Sequence, residues 1–130
     1  MSGAQALADR DDLKLQQRLQ LNTARIARVQ AALNEKLTDL NLTVCGLFSD
    51  FSNNELCQDP YDQSTSLLCE WRDKHNNLLG SLQLHDSGRV FAEYDVIKPH
   101  PTKPKWFIEA VTAWGDDEQL RTELRLLPMR

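Results

Sequence analysis

Two carboxylates held face to face repel, and one of them can then keep its proton near neutral pH, which is the raw material of general acid–base catalysis. Glu93 and Glu109 are the pair in this sequence with that prospect, and Asp95 lies two residues beyond Glu93. Phe91 and Phe107, each two residues before a glutamate, would keep water off the same surface. The competing reading is a solvated surface of alternating charge. Arg125 falls opposite Glu109 in the strand arrangement developed below, with Arg72 and Arg89 near, and such a surface needs no chemistry to explain it. His100, inside "PHPTK", has Lys103 and Lys105 beside it, a composition suited to an anion. Glu93, Glu109, Arg125 and His100 are therefore the residues of a possible ligand site.

Other chemistries find little material. The cysteines are Cys45, Cys57 and Cys69, an odd count without CxxC spacing, which argues against both a disulfide framework and a zinc site. His75, His85 and His100 are scattered, and His85 with Arg89 reads as a surface pair beside a turn. Asp116, Asp117 and Glu118 lack the ligand spacing of a calcium loop. No GxSxG, glycine-rich phosphate loop or HExxH occurs. No catalytic residue, metal or cofactor is expected from these patterns.

The elements that must position the carboxylates follow from periodicity. The chain has 130 residues, enough for one domain with one core. Residues 1–10 read as a flexible N-terminus and 11–130 as a single domain. Over 11–40, Leu15, Leu19, Ile26, Val29, Leu33, Leu37 and Leu40 recur mostly at spacings of three and four, predicting a helix. Thirty helical residues would span about 45 Å. The first turns are therefore expected to project or pair with another chain, with a break near Asn22-Thr23 as the alternative. "LTVCGLF" at 42–48 leans to a short strand. Residues 49–65 are polar and turn-rich. Ser52 and Glu55 resemble a capping box, predicting a helical turn at 53–58 stopped by Pro60.

From residue 66 the apolar period becomes two. Five strands are expected, at about 66–73, 78–85, 89–97, 105–114 and 120–127, linked by short turns into a meander over 66–127. Closing each turn gives a register. A turn on Ser87 pairs Leu84 with Val90, Leu82 with Ala92 and Gly80 with Tyr94. "KHNN" pairs Trp71 with Gly80 and Cys69 with Leu82. Pro101 pairs Tyr94 with Ile108, Ala92 with Ala110 and Val96 with Trp106, which places Glu93 opposite Glu109. Asp117 pairs Ala110 with Leu124 and Ile108 with Leu126. These residues share one nearly apolar face, and a one-residue slip would invert it. Trp106, Ile108, Ala110 and Trp114 are thus expected in the core, with Phe107, Glu109 and Val111 outside.

The fold class is α+β: two layers, with a long N-terminal helix packed on a curved five-stranded antiparallel meander. The face away from the helix would carry apolar residues amid charge, chiefly Phe91, Phe107, Val111 and Leu127, and such patches mark interaction surfaces. Net charge is −4 and no region is strongly basic, which disfavours nucleic acid and anionic membrane. No apolar run reaches membrane-span length and the N-terminus lacks a signal-peptide centre, so a cytoplasmic protein is expected. In size, acidity and α+β pattern the chain resembles bacterial secretion chaperones. No motif carries that likeness and the strand order differs, so no residue role is transferred. The expected function is a non-enzymatic interaction or binding module acting as a homodimer. The alternative is a small-ligand or enzymatic domain with a pocket between helix and sheet near Glu93 and Glu109.

Overall fold

A computed structural model describes residues 13–42 and 51–129. Two helices, α1 over 13–21 and α2 over Thr23–Thr38, precede six strands: β1 (Asn53–Gln58), β2 (Thr65–Arg72), β3 (Leu78–His85), β4 (Val90–Pro99), β5 (Trp106–Gly115) and β6 (Leu120–Pro128). The strands form one antiparallel sheet in chain order. The α+β meander is present, with six strands where five were expected. The strand expected at 42–48 falls almost wholly outside the described residues.

The helical stretch is interrupted at Asn22. Asn22 Nδ2 donates to the Arg18 carbonyl at 2.7 Å and Thr23 Oγ1 to that of Leu19 at 3.1 Å. Side chains that bond back to the preceding turn compete with the helix ladder and bend it. Leu15 and Leu19 of α1 pack against the core, so these turns do not project. The helix ends in a Schellman arrangement. Asn41 takes φ 55°, Leu42 N–H donates to the Leu37 carbonyl at 2.9 Å, and Asn41 N–H to that of Thr38 at 2.9 Å.

Arginines on the helices clasp two turns of the sheet. Arg25 Nε reaches Asp117 at 2.9 Å, and Arg28 donates to the Asp116 carbonyl at 2.7 Å, both in the β5–β6 turn. Arg18 meets Asp86 of the β3–β4 turn at 3.3 Å. Val29, Leu33 and Leu37 are buried against one sheet face. Burying each such side chain contributes about 1.5–3 kcal/mol.

β1 corrects the helical turn expected at 53–58. Ser52 does not cap a helix: its N–H donates to the Glu70 carbonyl at 2.8 Å and its hydroxyl to that of Arg72 at 3.2 Å. Residues 53–58 then pair with 70–65 as an edge strand. The neighbouring strand offers these backbone groups a full ladder, which outweighs the local capping signal.

The β2–β3 and β3–β4 registers are as expected, including Trp71 with Gly80 and Gly80 with Tyr94. The β4–β5 register is not. The hairpin closes on His100 and Trp106, whose backbones bond at 2.9 Å, rather than about Pro101. Farther along, Asp95 pairs with Ala110 but Lys98 with Ile108, so two residues of β4 oppose one of β5. Ile97 in this bulge has φ 51°, unusual for a β-branched residue. A matching irregularity lies between Ile108 and Ala110 against β6. The closure shifts the register by four residues and keeps Ile108 in the core; the bulge takes one back and exchanges the faces beyond it. Val111, expected outside, is fully buried. Trp106, expected inside, is 40% exposed. Trp114 pairs with Phe91 on the outer face. Ala110 is buried, but in the row of Asp95 and Arg125.

Candidate functional site

The sheet face turned away from α2 is where the chemistry-bearing residues gather. The register lays them in rows. One row runs Glu55, Leu68, Gln83, Phe91, Trp114, Arg121, and the next runs Asn53, Glu70, Ser81, Glu93, Thr112, Glu123. Asp95, Ala110 and Arg125 follow, and Pro99, Phe107 and Leu127 close the far end. Apolar side chains thus sit at both ends of a charged middle. Phe91 is 47% and Leu127 45% exposed, Phe107 is half-buried, and Val111 drops out of the patch into the core.

Glu93 faces Thr112, not Glu109. Glu109 stands in the bulge, and Arg125 reaches both glutamates: its guanidinium donates to Glu93 Oε2 at 2.5 Å and lies 3.9 Å from Glu109 Oε2. The opposed carboxylates anticipated from sequence are therefore bridged by a cation. The carboxyl whose pKa rises is Asp95. Partial burial is the main cause, the charges of Glu93 and Glu109 add to it, and Arg125 opposes it. Glu93 and Glu109 lie on the face away from the helix, so they line no pocket between helix and sheet. Along the strands of this face the carboxylates Glu55, Glu70, Glu93, Asp95, Glu109 and Glu123 outnumber the guanidiniums of Arg72, Arg121 and Arg125, and Arg89 adds a fourth at the β3–β4 turn.

His100 does not join this group. It is seven residues along the chain from Glu93, on the order of 20 Å in a strand. Its ring is buried, and Nδ1 accepts the N–H groups of Thr102 and Lys103, each at 3.1 Å. A nitrogen so used carries no proton and offers nothing to an anion. His100 shapes the β4–β5 turn.

His85 joins two serines. Nδ1 lies 2.8 Å from Ser87 Oγ and accepts the Ser87 N–H at 3.1 Å, while Nε2 lies 2.9 Å from Ser64 Oγ. With Nδ1 accepting, the proton sits on Nε2 and points at Ser64, so the imidazole is no base for that hydroxyl. The ring latches the β1–β2 loop to the β3–β4 turn. Cys69 is fully buried, and burial pushes its thiol up to about 12. Cys57 is raised as well, first by burial and then by Glu55. Neither is an activated nucleophile.

Two shallow depressions adjoin on the open face. One of about 870 Å³ is bordered by Asp59, His85 and Arg89, the other of about 620 Å³ by Thr112, Glu123 and Arg125, and Phe91 and Trp114 border both. No family model, curated protein or solved structure matches the chain. Its own geometry must carry any functional reading. Among the described residues no cluster of histidine, cysteine or carboxylate side chains is arranged to hold a metal ion, and no helix is long and apolar enough to cross a membrane. Trp114 is the contact residue sequence reasoning missed. Nothing in its alternating strand pattern signals the bulge that turns it outward.

Proposed function

We propose that the chain is a non-enzymatic protein-interaction module, working as a homodimer, whose open sheet face holds a basic, apolar-bearing segment of a partner protein. The observation that carries this reading is the face itself: Phe91 with Trp114 at one end, Phe107 with Leu127 at the other, and a carboxylate-rich stripe between them. Apolar anchors supply affinity through burial, while the acidic stripe selects the sign of the partner's charge. The test is NMR titration with two synthetic peptides, one alternating lysine with leucine and one alternating glutamate with leucine. The lysine peptide should shift amides at Phe91, Glu93, Glu109, Trp114 and Leu127 and weaken with salt. Equal response to both peptides, or shifts confined to the helices, would remove the reading.

A small-ligand or enzymatic role for Glu93 and Glu109 draws support from one observation, the raised pKa of Asp95 beside them. A folded-state pKa above the unfolded one favours folding at low pH and is lost as pH rises through the folded value. Asp95→Asn should therefore melt higher than the natural chain at neutral pH, and the difference should shrink as pH falls below the ordinary carboxylate range. If Asp95→Asn is destabilised at neutral pH and unfolds more readily throughout, the carboxyl is held for its charge and this role loses its support.

A further inference from the structure

β6 is the last strand of the sheet, and among the described residues no strand pairs with its outer edge. It is nine residues long, and an edge of that length is a template for another strand. The other edge, β1, is shorter, with six residues, and α1 runs beside it: Lys14, Gln17, Arg18 and Leu21 share a depression with Leu56 and Gln58.

Three bonds show which backbone groups of β6 are free for pairing. Asp116 N–H donates to the Gln119 carbonyl at 2.9 Å, Thr112 Oγ1 to that of Glu123 at 3.3 Å, and Met129 N–H to that of Lys105 at 2.9 Å. All three use odd-numbered residues of this segment, turned toward β5 or its ends. Backbone groups alternate along a strand. The even residues Leu120, Thr122, Leu124 and Leu126 therefore turn theirs outward. Pro128, which has no N–H to offer, ends the series.

The side chains then choose a register. A two-fold axis at Leu124 aligns all nine residues of β6 with those of a second copy. Outward-turned residues meet outward-turned residues, as antiparallel hydrogen bonding requires. On the open face, Glu123 comes opposite Arg125 of the second copy, twice by symmetry, and the stem of Arg121 covers the exposed Leu127. On the helix side, Leu124 meets Leu124, and Thr122 meets Leu126. Sliding by two residues centres the pair on Glu123 and opposes Glu123 to itself and Arg121 to Arg125. Sliding by two more leaves Arg125 to Pro128 without partners in β6. The Arg-Glu-Arg pattern therefore penalises the neighbouring register and rewards one that uses the whole strand.

We infer that two copies join edge to edge through β6 about a two-fold axis at Leu124, merging their sheets and their open faces into one. This rests on the homodimer of the functional reading and specifies its interface. The second copy is favoured over a foreign strand because the charges of β6 are complementary to those of β6 itself at full overlap.

The test is solution mass by light scattering over a dilution series, on the full chain and three variants, with circular dichroism to establish folding. The natural chain should be a dimer that dissociates on dilution. Glu123→Arg, an exposed change, should weaken it about tenfold or more, since both cross-copy pairs become repulsive. Arg125→Glu should do the same, and mixing these two folded variants should restore dimers, because each then supplies the charge the other lacks. Phe107→Asp should stay dimeric. A dimer indifferent to Glu123→Arg but lost in Phe107→Asp overturns the edge interface while keeping the homodimer. A monomer at every concentration overturns both, leaving peptide binding by the open face to be judged on its own titration. Should Arg125→Glu fail to fold, paramagnetic relaxation from a nitroxide on Glu118→Cys, with Cys45→Ser and Cys57→Ser in the background and Cys69 buried, decides. Enhancement at Met129 amides in mixed labelled and unlabelled chains is expected, and its absence overturns the proposal.

Discussion

Trp71 meets Tyr94 edge-on, with ring centroids 5.4 Å apart and planes at 73°. The two residues belong to strands that are not neighbours, and Gly80 of β3 lies between them in the register. The aromatic pair closes over the space where Gly80 has no side chain. Phe51 extends the cluster, 4.6 Å from Trp71. Both Trp71 and Tyr94 are buried, so this contact belongs to the packed core beneath β2, β3 and β4.

Gly80 therefore has no room for a side chain. A Cβ there would stand 2.5 Å from the Glu93 carbonyl oxygen and 2.8 Å from Tyr94 Cδ2. The first neighbour is backbone and cannot step aside. Gly80→Ala should cost about 1–3 kcal/mol, the usual range for overpacking, and Gly80→Val more. Thermal unfolding reads this as a fall of several degrees. An unchanged melting temperature would contradict the β3–β4 register.

Val111 and Phe107 test the bulge. Val111→Asp should unfold the protein or nearly so, because it places a charge at a fully buried position. Phe107→Asp should remain folded with a melting temperature within a few degrees of the natural chain, because Phe107 lies on the outer face beside Leu127. Without the bulge both residues would lie on the outer face and Val111→Asp would be as mild as Phe107→Asp. Circular dichroism on the two variants decides between them.

The same bulge marks where the sequence stops being legible. The α2 stripe, β3–β4 about Ser87 and the pairing of Trp71 with Gly80 follow from apolar periods and short turns, and those signals are local. The flip at Ile97 is set by how a strand fits its neighbours, and a β-branched residue at positive φ is the reverse of what local preference suggests. Val111 and Trp114 were exchanged for that reason. β1 was hidden differently: Ser52 and Glu55 imitate a helix start, and only the presence of β2 makes the extended form better. At the site, the clustering of Glu93, Glu109 and Arg125 was legible because it survives a register error along one row. The remoteness of His100 was not, since prolines and lysines around it read as an exposed loop while its ring is folded inward.

Cys69 offers a probe of opening. Its thiol is pushed from an ordinary 9.0 to about 12 by burial alone. The sign follows from the raised value: the neutral thiol is favoured in the fold, so its contribution is intact below pH 9.0 and is lost as pH climbs toward 12. Alkylation of Cys69 should be slow under native conditions and should rise with denaturant in step with global unfolding, while the half-buried Cys57 reacts sooner. Mass spectrometry of labelled peptides separates the two. Rapid labelling of Cys69 in the native chain would mean that the sheet opens locally at β2.

The arginine clasp bears on the order in which the chain assembles. Every strand pairs with its neighbour in sequence, so the sheet can grow hairpin by hairpin with little loop to close. The helix is different: Arg25 finds Asp117 across 92 residues. Closing so long a loop repays its entropy only once the β5–β6 turn exists to receive it. The helix that is made first in sequence is thus the last element that can dock, and until it does the apolar sheet face beneath it is open to whatever else the nascent chain meets.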